Sequence, residues 1–156
     1  MSRLSCLALF TLLGAGCQQK PAAASAPVPA AAPPLAAKAA AGAREETSEF
    51  VVSLSAKAAG GTVFIAAKPP LHINPEYPTA FKPEGAGVKF EGEKVALAPD
   101  TKKPCEGKAE DTCETTSLLK YQGAVGDAVA GTLQFSVCMP DKCLIEKVKL
   151  ATAVEP

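Results

Sequence analysis

The stretch Phe135–Val148, FSVCMPDKCLIEKV, constrains the fold more than any other part of the chain. Cys138 and Cys143 bracket Met139-Pro140-Asp141-Lys142, and Pro and Asp are turn formers. Both flanks have the composition and alternation of strands. The pattern predicts a β-hairpin with a four-residue loop, closed by two cysteines that face each other. With Cys138 opposite Cys143, Ser136 faces Ile145, Gln134 faces Lys147 and Thr132 faces Lys149. The pairs between them are Val137–Leu144, Phe135–Glu146, Leu133–Val148 and Gly131–Leu150. Side chains alternate between sheet faces, so one face gathers Leu133, Phe135, Val137, Leu144, Val148 and Leu150. The other gathers Thr132, Gln134, Ser136, Lys147, Lys149 and both cysteines, with Glu146 and Ile145 as the misfits. A one-residue slip loses both the sorting and the cysteine alignment.

Short strands recur upstream. Phe50, Val52 and Leu54 alternate with Val51, Ser53 and Ser55, and Gly60-Gly61 reads as a hairpin turn. Thr62–Ala67 is a second strand, stopped by Pro69-Pro70. In Leu71–Thr79 two X-Pro steps force extended or turn geometry. Val88–Phe90 and Lys94–Ala98 read as strands around a turn at Glu91-Gly92-Glu93, and Pro99–Glu114 as a polar loop holding Cys105 and Cys113. Ser117–Gln122 is a strand, Gly123–Asp127 a turn, and Ala128–Val137 a long strand entering the hairpin. Helical periodicity is absent. Many short strands with regular turn signals predict an all-β antiparallel sandwich, of immunoglobulin-like size, over residues 46–156.

The preceding residues have a different character. Met1–Gly16 combines a basic start at Arg3, an apolar run and the small residues Gly14-Ala15-Gly16, the pattern of a secretory signal. Leu-Gly-Ala-Gly-Cys resembles the end of a bacterial lipoprotein signal, which implies lipidation of Cys17 and a membrane anchor. Gln18 is then compatible with the outer membrane. Residues 17–45 form an Ala/Pro-rich linker without enough bulky apolar groups to offset its ordering entropy, so a disordered tether is expected.

Formal net charge is zero and no long run of one sign occurs, which argues against a nucleic-acid partner. Cys6 leaves with the signal and Cys17 takes the lipid; four cysteines remain, and four allow three pairings. An exported domain favours disulfides, and proximity favours 105–113 and 138–143. Zinc is the competing use, but C-x7-C and C-x4-C are poor zinc spacings. No cofactor is implied. His72 is the only histidine and no GxSxG motif occurs, which leaves hydrolase chemistry little support.

Two stretches together, His72-Ile73-Asn74-Pro75-Glu76-Tyr77-Pro78-Thr79 and Phe135-Ser136-Val137-Cys138 through Lys142-Cys143-Leu144-Ile145-Glu146-Lys147-Val148, carry a family resemblance. They resemble the N-terminal periplasmic domain of the DsbD thiol:disulfide interchange proteins and its stand-alone lipoprotein relatives. The resemblance implies an immunoglobulin-like fold and a redox pair, which falls on Cys138 and Cys143. It implies a periplasmic thiol or disulfide protein as partner, with a separate electron donor, since no transmembrane or thioredoxin-like domain is evident. The cell envelope, at the periplasmic side of the outer membrane, is the expected location.

Location separates the two cysteine pairs. Cys138–Cys143 is expected in a rigid hairpin near Lys147 and Lys149, whose charge favours a thiolate, and Cys105–Cys113 in a flexible polar loop as a structural bond. His72 is expected at a turn or sheet edge, Asn74 as a side-chain cap of its turn, and Tyr77 and Phe81 in the core. The alternative is a non-catalytic immunoglobulin-like lipoprotein, braced by two disulfides, that binds a protein partner.

Overall fold

Alternation of apolar and polar residues from Phe50 to Lys57 buries Val52, Leu54 and Ala56 on one side and leaves Ser55 and Lys57 in water. The same rule runs through the computed structural model, which describes residues 43–85 and 87–156. Ten strands follow in order: β1 (Ala43–Glu46), β2 (Phe50–Lys57), β3 (Gly60–Ala67), β4 (His72–Ile73) and β5 (Ala80–Pro83). Then come β6 (Val95–Ala96), β7 (Pro99–Cys105), β8 (Lys108–Leu119), β9 (Ala128–Cys138) and β10 (Cys143–Ala153). No helix occurs among the described residues. The signal, Cys17 and most of the linker lie outside them; Ala43-Arg44-Glu45, at the end of the linker span, belong to β1 and pair with β2.

The strand path is β1-β2-β3-β8-β4-β9-β5-β6, with β10 added to β9 and β7 to β8, and every strand pair is antiparallel. β2 and β9 are not neighbours on this path, yet the rings of Phe50 and Phe135 meet edge to face at 5.1 Å. The two ends of the sheet therefore close over one core, consistent with an immunoglobulin-like sandwich. Val52, Leu54, Val63, Ile65, Phe81, Leu119, Val129, Leu133, Phe135 and Val137 fill it. Full burial of each such side chain contributes about 1.5–3 kcal/mol.

The β9–β10 register is the expected one, residue for residue: Cys143 on Cys138, Ile145 on Ser136, Lys147 on Gln134, Lys149 on Thr132. Elsewhere the structure differs from the sequence reading. The β2–β3 turn is Ala58-Ala59, not Gly60-Gly61, because Lys57 pairs directly with Gly60. Gly61 serves packing instead: a Cβ there would lie 3.0 Å from the Ser55 carbonyl oxygen and 3.2 Å from the Tyr121 ring. Val88–Phe90 is not a strand; Lys89 exchanges backbone hydrogen bonds with Gln122 in an isolated bridge. Of Lys94–Ala98 only Val95-Ala96 pairs, with β5.

The largest correction concerns Pro99–Glu114. It is not a loop but a hairpin of β7 and the first half of β8, turning at Glu106-Gly107, with Gly107 in the left-handed region at φ 75°. Its tip is exposed on both faces, so no hydrophobic alternation marks it in the sequence. Backbone pairing, an exposed Lys103–Glu114 ion pair at 2.7 Å and the Cys105–Cys113 disulfide hold it.

Candidate functional site around Cys138 and Cys143

Both expected disulfides are formed. Cys105–Cys113 has a Cα separation of 4.7 Å and Cys138–Cys143 one of 4.0 Å. The Met139 N–H donates to the Lys142 carbonyl at 2.8 Å, so the next pair inward, Cys138–Cys143, is a non-hydrogen-bonded pair. Such pairs bring Cα atoms to about 4.5 Å, close enough for two facing cysteines to bond. Since both disulfides sit in hairpins, the expected contrast between a rigid and a flexible setting does not distinguish them.

Surroundings do. Cys138 is 5% exposed, whereas Cys143 lies on the surface. The difference follows from strand order: β9 has β4 and β5 on one side and β10 on the other, while β10 pairs with β9 alone. One sulfur of the bond is thus held inside the sheet and the other at its margin.

β4 and β5 lie along the same edge of β9, separated by Asn74–Thr79. The Asn74 N–H donates to the Ser136 carbonyl at 2.9 Å, continuing the β4 pairing by one residue. The Asn74 Oδ1 accepts from the Glu76 N–H at 2.9 Å, the side-chain turn cap expected from sequence. Its Nδ2 lies 3.8 Å from the Cys143 Sγ, a weak donor contact to the exposed sulfur. Three residues on, the Tyr77 hydroxyl accepts from the Gln134 side-chain amide. The loop is therefore pinned at Gln134 and at Cys143, on the face that carries Ser136 between them. Ser136 is 1% exposed, and its hydroxyl has no partner among the described residues.

Tyr77 accordingly stands outside the core, half-buried over the polar face, while Phe81 is fully buried as expected. His72 is at neither a turn nor an edge. It pairs directly with Cys138 from within the sheet, and the Ile73–Thr112 register sets Cys113 beside it on the other flank. Its Nδ1 lies 3.7 Å from the Asp111 carboxylate, which Lys108 also approaches at 3.7 Å. The chain thus brings His72, Cys138 and Cys143 into one row across three strands. Sequence reasoning left His72 and Asn74 out of the site because their neighbours are 66 and 69 residues away; the HINP stretch was the only signal.

The lysines act less than expected. Lys147 is four residues from Cys143 along β10, about 13 Å at strand rise, beyond the screening length of about 8–10 Å. Lys149 is farther still and lies 4.0 Å from Glu84, which also accepts from the Thr132 hydroxyl at 2.7 Å. Among the described residues the side-chain hydrogen-bond contact of Cys143 is with the Asn74 amide, and Lys142 adjoins it in the chain.

A cavity of about 100 Å³ beside the loop is lined by Ile73, Asn74, Tyr77, Pro78, Leu97 and Thr112, among others. Organic ligands occupy clefts of about 300–1,000 Å³. No group of three or more His, Cys, Asp or Glu is arranged for a metal ion among the described residues. What the site offers chemically is an accessible disulfide sulfur with a partly shielded partner. No protein family, curated protein or solved structure matches this chain.

Proposed function

We propose that the protein is a lipid-anchored thiol:disulfide exchange domain that uses Cys138–Cys143, working in the cell envelope at the periplasmic face of the outer membrane. The anchor and location rest on the signal pattern and Cys17; the activity rests on the resemblance to the DsbD N-terminal domain and on the site's geometry. The observation that carries the activity is the asymmetry of the bond: Cys143 is exposed, Cys138 is buried, and a polar loop is fastened beside the exposed sulfur.

A thiolate of a partner dithiol attacks the Cys143 Sγ. A new S–S bond forms, the Cys138–Cys143 bond breaks, and its electron pair leaves on Cys138. The Cys138 thiolate released in this step takes up a proton from solvent; His72 stands next to it in backbone register, with its Nδ1 3.7 Å from the Asp111 carboxylate. The partner's second thiolate then attacks its own sulfur in the mixed disulfide, leaving the partner oxidised and this protein as the dithiol. The reverse sequence passes the two electrons to an oxidised protein. Cys105–Cys113, at the exposed tip of its hairpin, braces β7 against β8.

The test compares two single variants exposed to oxidised glutathione. Cys138→Ser leaves the exposed Cys143 thiol and forms the mixed disulfide rapidly; Cys143→Ser leaves the shielded thiol and forms it slowly. Equal rates, or a wild-type disulfide inert to dithiothreitol in the folded state, favour the bracing alternative and sink the proposal.

A further inference from the structure

The backbone beside Cys143 carries a second piece of information. Met139–Lys142 and Val154–Asp127 are backbone-bonded pairs at the two ends of the β9–β10 ladder. Alternation between them assigns Leu144, Glu146, Val148 and Leu150 to bonding with β9. Cys143, Ile145, Lys147, Lys149 and Ala151 therefore turn their N–H and C=O groups away from β9. Bonds on the other side of β9 agree, since the carbonyls of Ser136, Ala130 and Ala128 accept from Asn74, Glu84 and Val88. At the end of β10 the outward groups are used: Glu155 bonds to Ala56 and Ala58. From Cys143 to Lys149 they have no backbone partner among the described residues; Glu45, Thr47 and Phe50 stand across an open cleft from Glu146–Lys149, and the stretch at Cys143 and Ile145 is clear of them.

The residues that offer this free edge also carry the exposed side chains of the cysteine face: Cys143, Ile145 at 56% exposure, Lys147 and Lys149. Each is on the surface, whereas Val148 and Leu150 between them are buried. The reactive sulfur and the unpaired edge thus belong to one residue.

Resting on the exchange reading above, we infer that β10 receives an extended segment of the partner protein as an added antiparallel strand, with the partner's cysteine opposite Cys143. An added strand supplies main-chain affinity, and side chains along it supply specificity. A residue bonded opposite Cys143 has its Cα about 5.5 Å away and its side chain on the same face, inside the span of about 4.4–6.8 Å that a disulfide bridges. Sulfur is displaced in line, with the attacking and leaving atoms on opposite sides. A row of side chains across three strands meets that demand: partner sulfur, Cys143 Sγ, Cys138 Sγ. The partner thiolate forms its bond to Cys143 and the electron pair goes to Cys138, with the partner's dithiol as the reductant. In antiparallel addition the residue two before the partner's cysteine faces Ile145 and the residue four before it faces Lys147. The chemistry that fits is acidic-x-apolar-x-Cys, with the acid against the Lys147 ammonium and the apolar side chain on Ile145.

The test uses the blocked hexapeptide thiol Thr-Glu-Thr-Val-Thr-Cys against N-acetylcysteine amide, each reducing the Cys138–Cys143 bond of the intact chain. The hexapeptide reacts about 30-fold faster, the ratio given by two net backbone hydrogen bonds of about 1 kcal/mol each. Methylating its alternate backbone nitrogens removes the advantage with no change to the protein. Lys147→Pro deletes one outward N–H, spares the β9 ladder and removes most of the advantage, whereas Lys147→Ala retains more of it. For each variant the advantage is read as the ratio of its two rates, so any change in the reactivity of the bond itself cancels. A hexapeptide no faster than N-acetylcysteine amide, or equally fast when methylated, overturns the inference and leaves the exchange reading standing. A bond inert to both thiols overturns both. Self-association of the peptide-free protein that Lys147→Pro abolishes assigns the edge to a second copy and also overturns it.

Discussion

Asn74→Asp tests the loop over the disulfide by changing one atom at one site. Aspartate keeps the oxygen that accepts from the Glu76 N–H at 2.9 Å, so the turn survives. It replaces the amide nitrogen, 3.8 Å from the Cys143 Sγ, with a charged oxygen. Cys143 is exposed, so the dielectric is near that of water and two negative charges at this distance repel by about 1 kcal/mol. That lowers the thiolate population of the reduced site about fivefold, and the thiolate is the reactive form. The assay is alkylation of Cys143 by iodoacetamide at neutral pH in the Cys138→Ser background. Asn74→Asp slows it about fivefold at low salt, and the effect shrinks as ionic strength rises. An unchanged rate at low salt refutes the placing of the Asn74 side chain at the Cys143 sulfur.

Removing Cys105 and Cys113 together by serine substitution lowers stability by about 2.5 kcal/mol in denaturant unfolding, the loop-closure value for a short crosslink, and leaves the reduction rate of Cys138–Cys143 unchanged. Phe135→Ala, which empties the contact with Phe50 between the two layers, costs about 3–5 kcal/mol by the same measurement. Burial raises the Tyr121 phenol above its ordinary range, against a smaller opposing effect of its 2.7 Å bond to the Lys57 carbonyl. A group raised on folding contributes stability that is whole below its unfolded value and lost as pH rises through the folded one. Stability therefore falls in alkaline solution, above a pH of about 10, and Tyr121→Phe flattens that fall.

Much of the hairpin was legible because a single face pattern and a single turn fix its register. Leu133, Phe135, Val137 and Val148 sort to one side only when Cys138 meets Cys143. The β7–β8 hairpin was not legible, since neither face of its tip is buried and pairing leaves no mark on side-chain polarity. Gly60-Gly61 misled because glycine is a turn signal and also a packing device; at Gly61 the second use holds, under Tyr121. The site was half legible. Two cysteines around a turn announce themselves, but His72 and Asn74 reach them only through β4, a two-residue strand inserted between β8 and β9. The free edge of β10 depends on which strand stands last in the sheet, and local periodicity does not encode that.

The central claim is that Cys138–Cys143 is an exchangeable bond and Cys105–Cys113 a structural one. Measuring the reduction potential of each in the folded protein, against a glutathione or dithiothreitol couple, tests it most directly. Structural disulfides lie below about −300 mV. The account predicts Cys138–Cys143 above that value and Cys105–Cys113 below it. Finding both below about −300 mV contradicts the account and leaves two braces on a β-sandwich.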